Sequence, residues 1–361
     1  MSRPYSPRRT TLTLLAAGSA LALAGCSAPE GAPVADGTTS ASSGDELVVS
    51  VWGGLYEETI TTAIADEFTE KTGAKLVFDT GSSTDRVNKV ISQGSGSGVD
   101  VMINNGELTS TAETAGVLAP LAADAVPALA DVADWAVQGD YGVAFGAYAM
   151  GIAYVNGAVD TPPTSWADLW SDEYAGKIAV PGAAHGHMPQ FATIAAELNG
   201  GGMDDLDPGI EALAQLEPAT TSMFYTDWAP LAASGEVSVA VEYSMYANLM
   251  NSTGDYDVTF VYPEEGAIGS LSVMSMVDGG DAELASAFIE LMLEPENQAE
   301  LSEALFHTPA NTAVEVPESV ADTVPAQDEL GEEVRFFDDA ALAELRPGLT
   351  QLITTRVVPE W

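Results

Sequence analysis

Apolar and polar positions repeat with two different periods along this chain. Residues 47–52 (Leu-Val-Val-Ser-Val-Trp) form a short β-branched run, which predicts a buried strand. Gly53-Gly54 breaks it. Between Tyr56 and Thr72, Ile60, Ile64 and Phe68 recur every fourth residue, one face of a helix, and Gly73 stands where a helix C-cap belongs. Residues 75–79 predict a second strand. Residues 85–92 carry Val87, Val90 and Ile91 at helical spacing, and 99–103 predict a third strand. Strand–helix–strand–helix–strand alternation indicates a parallel sheet with crossover helices. In such sheets ligands gather beyond the C-terminal strand ends. Those ends are Trp52-Gly53-Gly54, Thr80-Gly81-Ser82-Ser83 and Asn104-Asn105-Gly106-Glu107. Each reads equally well as an ordinary βα turn; the three together mark the mouth of a site.

The pattern then changes. Residues 141–155 read as extended segments, with Gly142, Gly146 and Gly151 at a possible crossing point. Ser165-Trp166-Ala167-Asp168 fits a capping box opening a short helix. Strands are expected at 177–180, 237–242 and 258–262. Helices are expected at 189–198, 227–234, 246–250, 281–293 and 296–305. No internal repeat is evident.

The N-terminus has a different character. Arg3, Arg8 and Arg9 precede an uncharged apolar run from Leu12 to Ala24, too short to span a bilayer as a mature helix. It ends in Leu23-Ala24-Gly25-Cys26, the form of a lipobox, so residues 1–25 are expected to be a signal peptide and Cys26 the lipidated residue. Arg8-Arg9 also resembles a twin-arginine signal. Cys26 is the single cysteine, which excludes an internal disulfide framework. Residues 26–46 are rich in Ser, Thr, Ala, Gly and Pro and read as a flexible tether. The expected product is an exported lipoprotein anchored at the outer face of the cell membrane, or periplasmic.

Charge sharpens this picture. The chain has 54 acidic against 11 basic residues, a formal net charge of −43. Such a surface repels nucleic acid and concentrates cations. Enzyme signatures are missing: Gly94-Ser95-Gly96-Ser97-Gly98 has glycine where a nucleophile elbow needs serine, and there is no His-Glu-x-x-His. A secreted hydrolase built on two carboxylates stays open as a rival.

Several stretches, in order, resemble the extracellular solute-binding proteins of ABC transporters, in their spermidine/putrescine-binding-like group. They are Val51 to Gly54, Phe68 to Gly73, Thr164 to Trp170, Tyr174 to Ala179, Gly235 to Val237, Val261 to Gly266, Ala287 to Leu293 and Thr308 to Asn311. The resemblance implies an α/β, two-lobed periplasmic-binding-protein-like (type II) fold with a hinge and an interlobe cleft. Residues 47–146 plus about 261–320 would form lobe 1, and 147–260 plus about 321–361 lobe 2. It further implies a monomer without cofactor or enzymatic activity, whose partners are a small-molecule ligand and a membrane ABC permease.

The resemblance places ligand contacts at Trp52, Tyr56 and Glu57, near Tyr225, Asp227 and Trp228, and at Glu242-Tyr243. With the strand ends, the candidate site comprises Trp52, Gly53, Gly54, Tyr56, Glu57, Ser82, Ser83, Asn105, His185, Asp227, Trp228, Glu242 and Tyr243. Aromatic faces and carboxylates suit an amine. One departure matters: polyamine binders of this kind carry an acidic pair after the Gly-Lys strand, but residues 181–188 (Pro-Gly-Ala-Ala-His-Gly-His-Met) have no carboxylate. A smaller amine, an opine or amino-acid derivative, or an aminophosphonate is therefore as well suited as a polyamine. His185-x-His187 on a strand would put both rings on one face and raises iron or another metal as an alternative, although zinc normally takes three or four protein ligands and the remaining histidine, His307, is far away in sequence.

Overall fold

The computed structural model describes residues 45–222 and 225–361. The expected signal peptide, Cys26 and all but the end of the tether lie outside them. No helix among the described residues is long and apolar enough to cross a membrane.

The chain opens with β1 (Glu46–Val51), α1 (Leu55–Thr72), β2 (Lys75–Thr80), α2 (Ser83–Gln93), β3 (Val101–Asn104) and α3 (Gly106–Thr114). As the periodicities require, β1 pairs in parallel with both β2 and β3, Val49 lying beside Phe78 on one side and Val101 on the other. Gly73 ends α1 in the left-handed conformation, φ 78°, where its missing Cβ avoids strain. Short edge strands β4 (Leu118–Ala119) and β5 (Val137–Gln138) lead into β6 (Gly142–Val155).

A second α/β region follows: β7 (Ile178–Pro181), α4 (Met188–Leu198), α5 (Asp207–Leu213), β8 (Pro218–Ser222), α6 (Tyr225–Ser234), β9 (Val239–Tyr243) and α7 (Ser244–Ser252). The expected capping box is present. Ser165 Oγ accepts from Ala167 N and Asp168 accepts from Ser165 N, each at 3.0 Å, opening a single 3₁₀ turn over Trp166–Trp170. The chain then returns through β10 (Val258–Val261), β11 (Ala267–Val277), α8 (Ala282–Leu293), α9 (Pro295–Leu305) and β12 (Thr308–Pro309). It ends with α10 (Leu330–Glu333), β13 (Val334–Arg335) and α11 (Asp339–Leu352).

These strands form one sheet in the order β2-β1-β3-β11-β6-β9-β7-β8. The segments expected to be extended at 141–155 are a single long strand, β6, antiparallel to β11. β6 serves two cores. Val143, Phe145 and Tyr148 pack with Ile60, Phe68 and Phe288, whereas Met150 and Ile152 pack with Trp166, Phe191 and Val241. Its glycines are close-approach positions: a Cβ at Gly151 would lie 2.5 Å from the Val261 carbonyl oxygen, and one at Gly146 2.9 Å from His307 Cβ. From α11, Leu349 enters the second core, followed by Ile353 and Val357 of a π-helical turn.

One expectation is corrected here. His185 and His187 are not on a strand, because β7 stops at Pro181; they sit in the turn before α4, with His187 at its N-cap position. The Pro-Gly-Ala-Ala run leaves β7 with a turn, so period-2 face sharing does not apply to the pair.

Candidate functional site

A cavity of about 650 Å³ opens between the C-terminal ends of β1, β2 and β3 on one side and the turns after β7 and β9 on the other. Five aromatic side chains wall it: Trp52, Tyr56, Tyr148, Tyr243 and Tyr246. Trp52 leaves the end of β1. Its ring centroid lies 4.7 Å from that of Tyr56, one helical turn into α1, and its indole N–H donates to Ser83 Oγ. Tyr148 projects from the long strand β6 and meets the Tyr243 ring edge-on at 5.5 Å; Tyr246 meets Tyr243 at 5.8 Å.

Tyr56 and Trp52 are held from behind. The Tyr56 hydroxyl lies 3.0 Å from His307 Nε2 and 3.2 Å from Ser272 Oγ. Arg86, buried behind Trp52, donates to Ser50 Oγ, the Ile103 carbonyl and Asn104 Oδ1, and its guanidinium sits 5.5 Å from the Trp52 ring centroid. Burial lowers the Arg86 pKa to about 10, so it stays charged at neutral pH. This arginine ties β1 to β3 and sets the floor under the aromatic wall.

Polar lining comes from chain turns. Ser82 caps α2: its Oγ accepts from Asp85 N at 3.3 Å and donates to Asp85 Oδ2 at 2.6 Å. Ser83 and Thr84 follow in its first turn, so the positive end of the α2 dipole borders the cavity. Asn105 caps α3 in the same manner, its Oδ1 accepting from Leu108 N at 3.0 Å. On the opposite side His187 Nδ1 is 2.6 Å from the Tyr243 hydroxyl, and His185 stacks on the Tyr243 ring at 5.7 Å. The His187 backbone N–H donates to His185 Nδ1, so in the neutral imidazole the His185 proton is on Nε2. Burial, then Arg346, lowers the His185 pKa to about 4; burial, then His185 and Arg346, puts His187 well below its ordinary value. Both rings are neutral at physiological pH.

Arg346 of α11 completes the wall. Its Nε and Nη2 form a bidentate pair with Glu107, Nη1 donates to the His185 carbonyl at 3.1 Å, and Nη2 reaches the Gly186 carbonyl. Glu107 belongs to α3, whereas 185–186 belong to the turn after β7, so one guanidinium ties the two sides of the cavity.

Of the residues singled out in the sequence, Trp52, Gly53, Tyr56, Ser82, Ser83, Asn105, His185 and Tyr243 line this cavity. Gly54 does not; it is the N-cap of α1, at φ 64°. The carboxylates lie elsewhere, and this corrects the expectation of an acidic lining. Glu57 lies on α1 outside the cavity lining, and Asp227 is exposed on α6. Glu242 is buried behind the wall, where its carboxylate accepts from the Trp228 indole N–H at 2.6 Å and from Tyr243 N at 2.7 Å. Trp228 is itself a core residue, fully inaccessible. The reason is strand alternation: Glu242 immediately precedes Tyr243, so the two side chains point to opposite faces of β9. Burial raises the Glu242 pKa to about 7 against the opposing effect of its two donors.

Among the described residues no Asp or Glu lines the main cavity, and no group of three His, Cys, Asp or Glu side chains is arranged to hold a metal. Tyr148, Tyr246, Arg86 and Arg346 were missed from sequence. Tyr148 carried a signal, as a large residue in the glycine-marked segment 141–155; Arg346 carried none.

Comparisons with known proteins place the chain. The profile described as bacterial extracellular solute-binding protein matches residues 63–327. Spermidine/putrescine-binding periplasmic protein 1 of Haemophilus influenzae is 24% identical over 328 residues, covering 83% of this chain and 88% of that protein. Among solved structures, the spermidine/putrescine ABC transporter substrate-binding protein PotD of Streptococcus pneumoniae superposes with a TM-score of 0.71 at 19% identity. It covers 88% of this chain and 100% of its own. A GABA receptor superposes with a TM-score of 0.73 at 21% identity, covering 85% and 95%. These similarities show an α/β, two-lobed solute-binding fold, and the profile match over most of the chain shows that it belongs to the bacterial extracellular solute-binding protein family.

Proposed function

We propose that this chain is the substrate-capturing lipoprotein of an ABC importer, and that its solute is a small zwitterionic amine held in the 650 Å³ cavity. The observation that carries the choice of solute is the make-up of the wall: five aromatic rings, hydroxyls at a helix N-terminus and one arginine, with no carboxylate among the described lining residues. Aromatic faces attract an ammonium group by about 0.5–2 kcal/mol each. The first turn of α2 and its serines suit a carboxylate or phosphonate. A doubly cationic polyamine would find partners for its charges only in the rings, whereas an amino-acid derivative, an opine or an aminophosphonate uses both halves of the site. The GABA receptor of the same fold offers a precedent for an amino-acid solute.

In this reading residues 47–146 with about 261–320 act as one lobe and 147–260 with about 321–361 as the other. β6 and β11 form the connection that flexes as ligand favours the closed state. Cys26 carries the lipid, residues 26–46 act as the tether, and the protein works as a monomer beside its permease, without chemistry on the solute.

A thermal-shift and calorimetry panel of amino acids, opines, aminophosphonates and polyamines tests the solute. At ligand about 100-fold above Kd the stabilisation is about 2.7 kcal/mol. Zwitterions are expected to raise the melting temperature more than diamines at equal concentration; the reverse order would overturn this choice. Product analysis of the same mixtures should find the solute unchanged. Replacing Cys26 by serine is expected to release the protein from membranes into the soluble fraction.

A further inference from the structure

A second cavity, of about 240 Å³, lies behind the first, and Asn105 and His187 line both. Its chemistry is different. Asp339, the first residue of α11, lines it together with the aromatic side chains of Trp135, Phe336 and Phe337. Gln190, only 3% exposed, is also in the lining, and its Oε1 has no hydrogen-bond partner. Among the described residues no hydrogen-bond donor reaches the half-buried Asp339 carboxylate. That carboxylate is pressed against Gly106 so closely that any side chain at 106 would collide with it.

We infer that this rear cavity is a cation subsite that takes a primary ammonium group, distinct from the solute cavity described above. A half-buried carboxylate without a donor is costly unless paired. An ammonium group supplies three N–H donors and a charge, for Asp339 and Gln190 Oε1, while the Trp135 and Phe336 rings favour the same cation; the Phe337 ring already meets the Arg335 guanidinium, 4.5 Å from its centroid. Anions are disfavoured, since Asp339, Glu107 and Asp338 cluster here and Arg346 is already committed to Glu107.

The acid of this subsite is partly protonated near neutral pH. Burial, then Glu107 and Asp338, raises the Asp339 pKa to about 7. Of the other groups facing it, His187 is held well below its ordinary value by burial, and Tyr148 is raised by burial to about 12. Arg346, on the same helix, is paired with Glu107. Ammonium binding therefore competes with a proton and strengthens as pH rises through 7.

Ethylammonium chloride is a suitable probe, titrated calorimetrically into the full chain against sodium chloride at equal ionic strength. Expected are saturable binding absent with sodium, at least tenfold tighter at pH 8 than at pH 5.5, and a loss of at least tenfold in Asp339→Asn. In that variant the pH dependence should vanish. Phe336→Ala removes a ring that is 39% exposed, so the fold should tolerate it, and it should weaken ethylammonium binding several-fold. Trp52→Ala, in the front cavity, should cost less ethylammonium affinity than Asp339→Asn does. Three outcomes would overturn the inference: a heat matched by sodium chloride, affinity unaltered in both Asp339→Asn and Phe336→Ala, or affinity lost in Trp52→Ala alone. The last result would put the amine in the front cavity and leave the proposed solute site intact.

Discussion

Arg346 and Glu107 form a bidentate ion pair across 239 residues of sequence, and the same guanidinium holds the carbonyl oxygens of His185 and Gly186. The Glu107 side chain is 1% exposed and that of Arg346 20%. A carboxylate so buried depends on its partner, because an uncompensated charge there cannot be solvated. Arg346→Ala is expected to cost about 3–5 kcal/mol in urea denaturation. Glu107→Gln with Arg346→Met should recover a large part of that loss. Because the guanidinium touches both sides of the cavity, Arg346→Ala should also enlarge the radius of gyration seen by small-angle scattering. A compact, undiminished single variant would show that the pair holds neither stability nor closure.

Trp52 has one edge bonded to Ser83 and one face toward Arg86. Trp52→Ala is expected to weaken solute binding by about 1–2 kcal/mol, roughly 5–30-fold, with little change in melting temperature of the unliganded protein. Calorimetry on the solute selected by the panel measures it. Unchanged affinity would reduce Trp52 to a packing residue.

Glu242 carries a pH signature. Its folded pKa, raised by burial to about 7, exceeds the ordinary value of 4.5. The folded state then holds the proton more tightly than the unfolded state between these values, so stability falls as pH rises from about 4.5 to about 7 and levels off above. Asp339, raised to about 7 from 3.8, acts in the same direction. Denaturation at pH 5 and pH 8 should show a smaller difference in Glu242→Gln than in the wild type, and a smaller one still when Asp339→Asn is added. An undiminished difference in the double variant would assign it to other groups.

Gly151 sits where β6 passes β10, with the Val261 carbonyl oxygen in the space a Cβ would fill. Gly151→Ala must push backbone rather than a flexible side chain, and overpacking of this kind costs about 1–3 kcal/mol. Chemical denaturation measures it, with Gly157→Ala unsuitable as control because its φ of 76° adds its own strain. Gly186→Ala is better suited, since the nearest atom to a Cβ there lies 3.8 Å away. Equal stability of the two variants would remove close approach as the reason for glycine at 151.

The local order of this protein was fixed by short-range physics and could be read without a structure. Residues 47–52 alternate with helices at the right periods, so the parallel β1-β2-β3 unit and the mouth residues Trp52, Ser82, Ser83 and Asn105 followed from strand ends. The ordered motifs from Val51 to Asn311 that resemble solute-binding proteins added the expectation of two lobes. What only the tertiary structure decided is which charges meet. Glu242 was legible as an acid beside Tyr243, but the pleat turns it away from the cavity and against Trp228. Arg346 and Asp339 had no pattern of their own, for an ion pair or a rear cavity arises from segments that no periodicity links. With 54 acidic residues the sequence offers many partners for a cation; burial, a property of the folded chain alone, sets a few of them apart, among them Glu107, Glu242 and the half-buried Asp339, because desolvation makes a charge costly there.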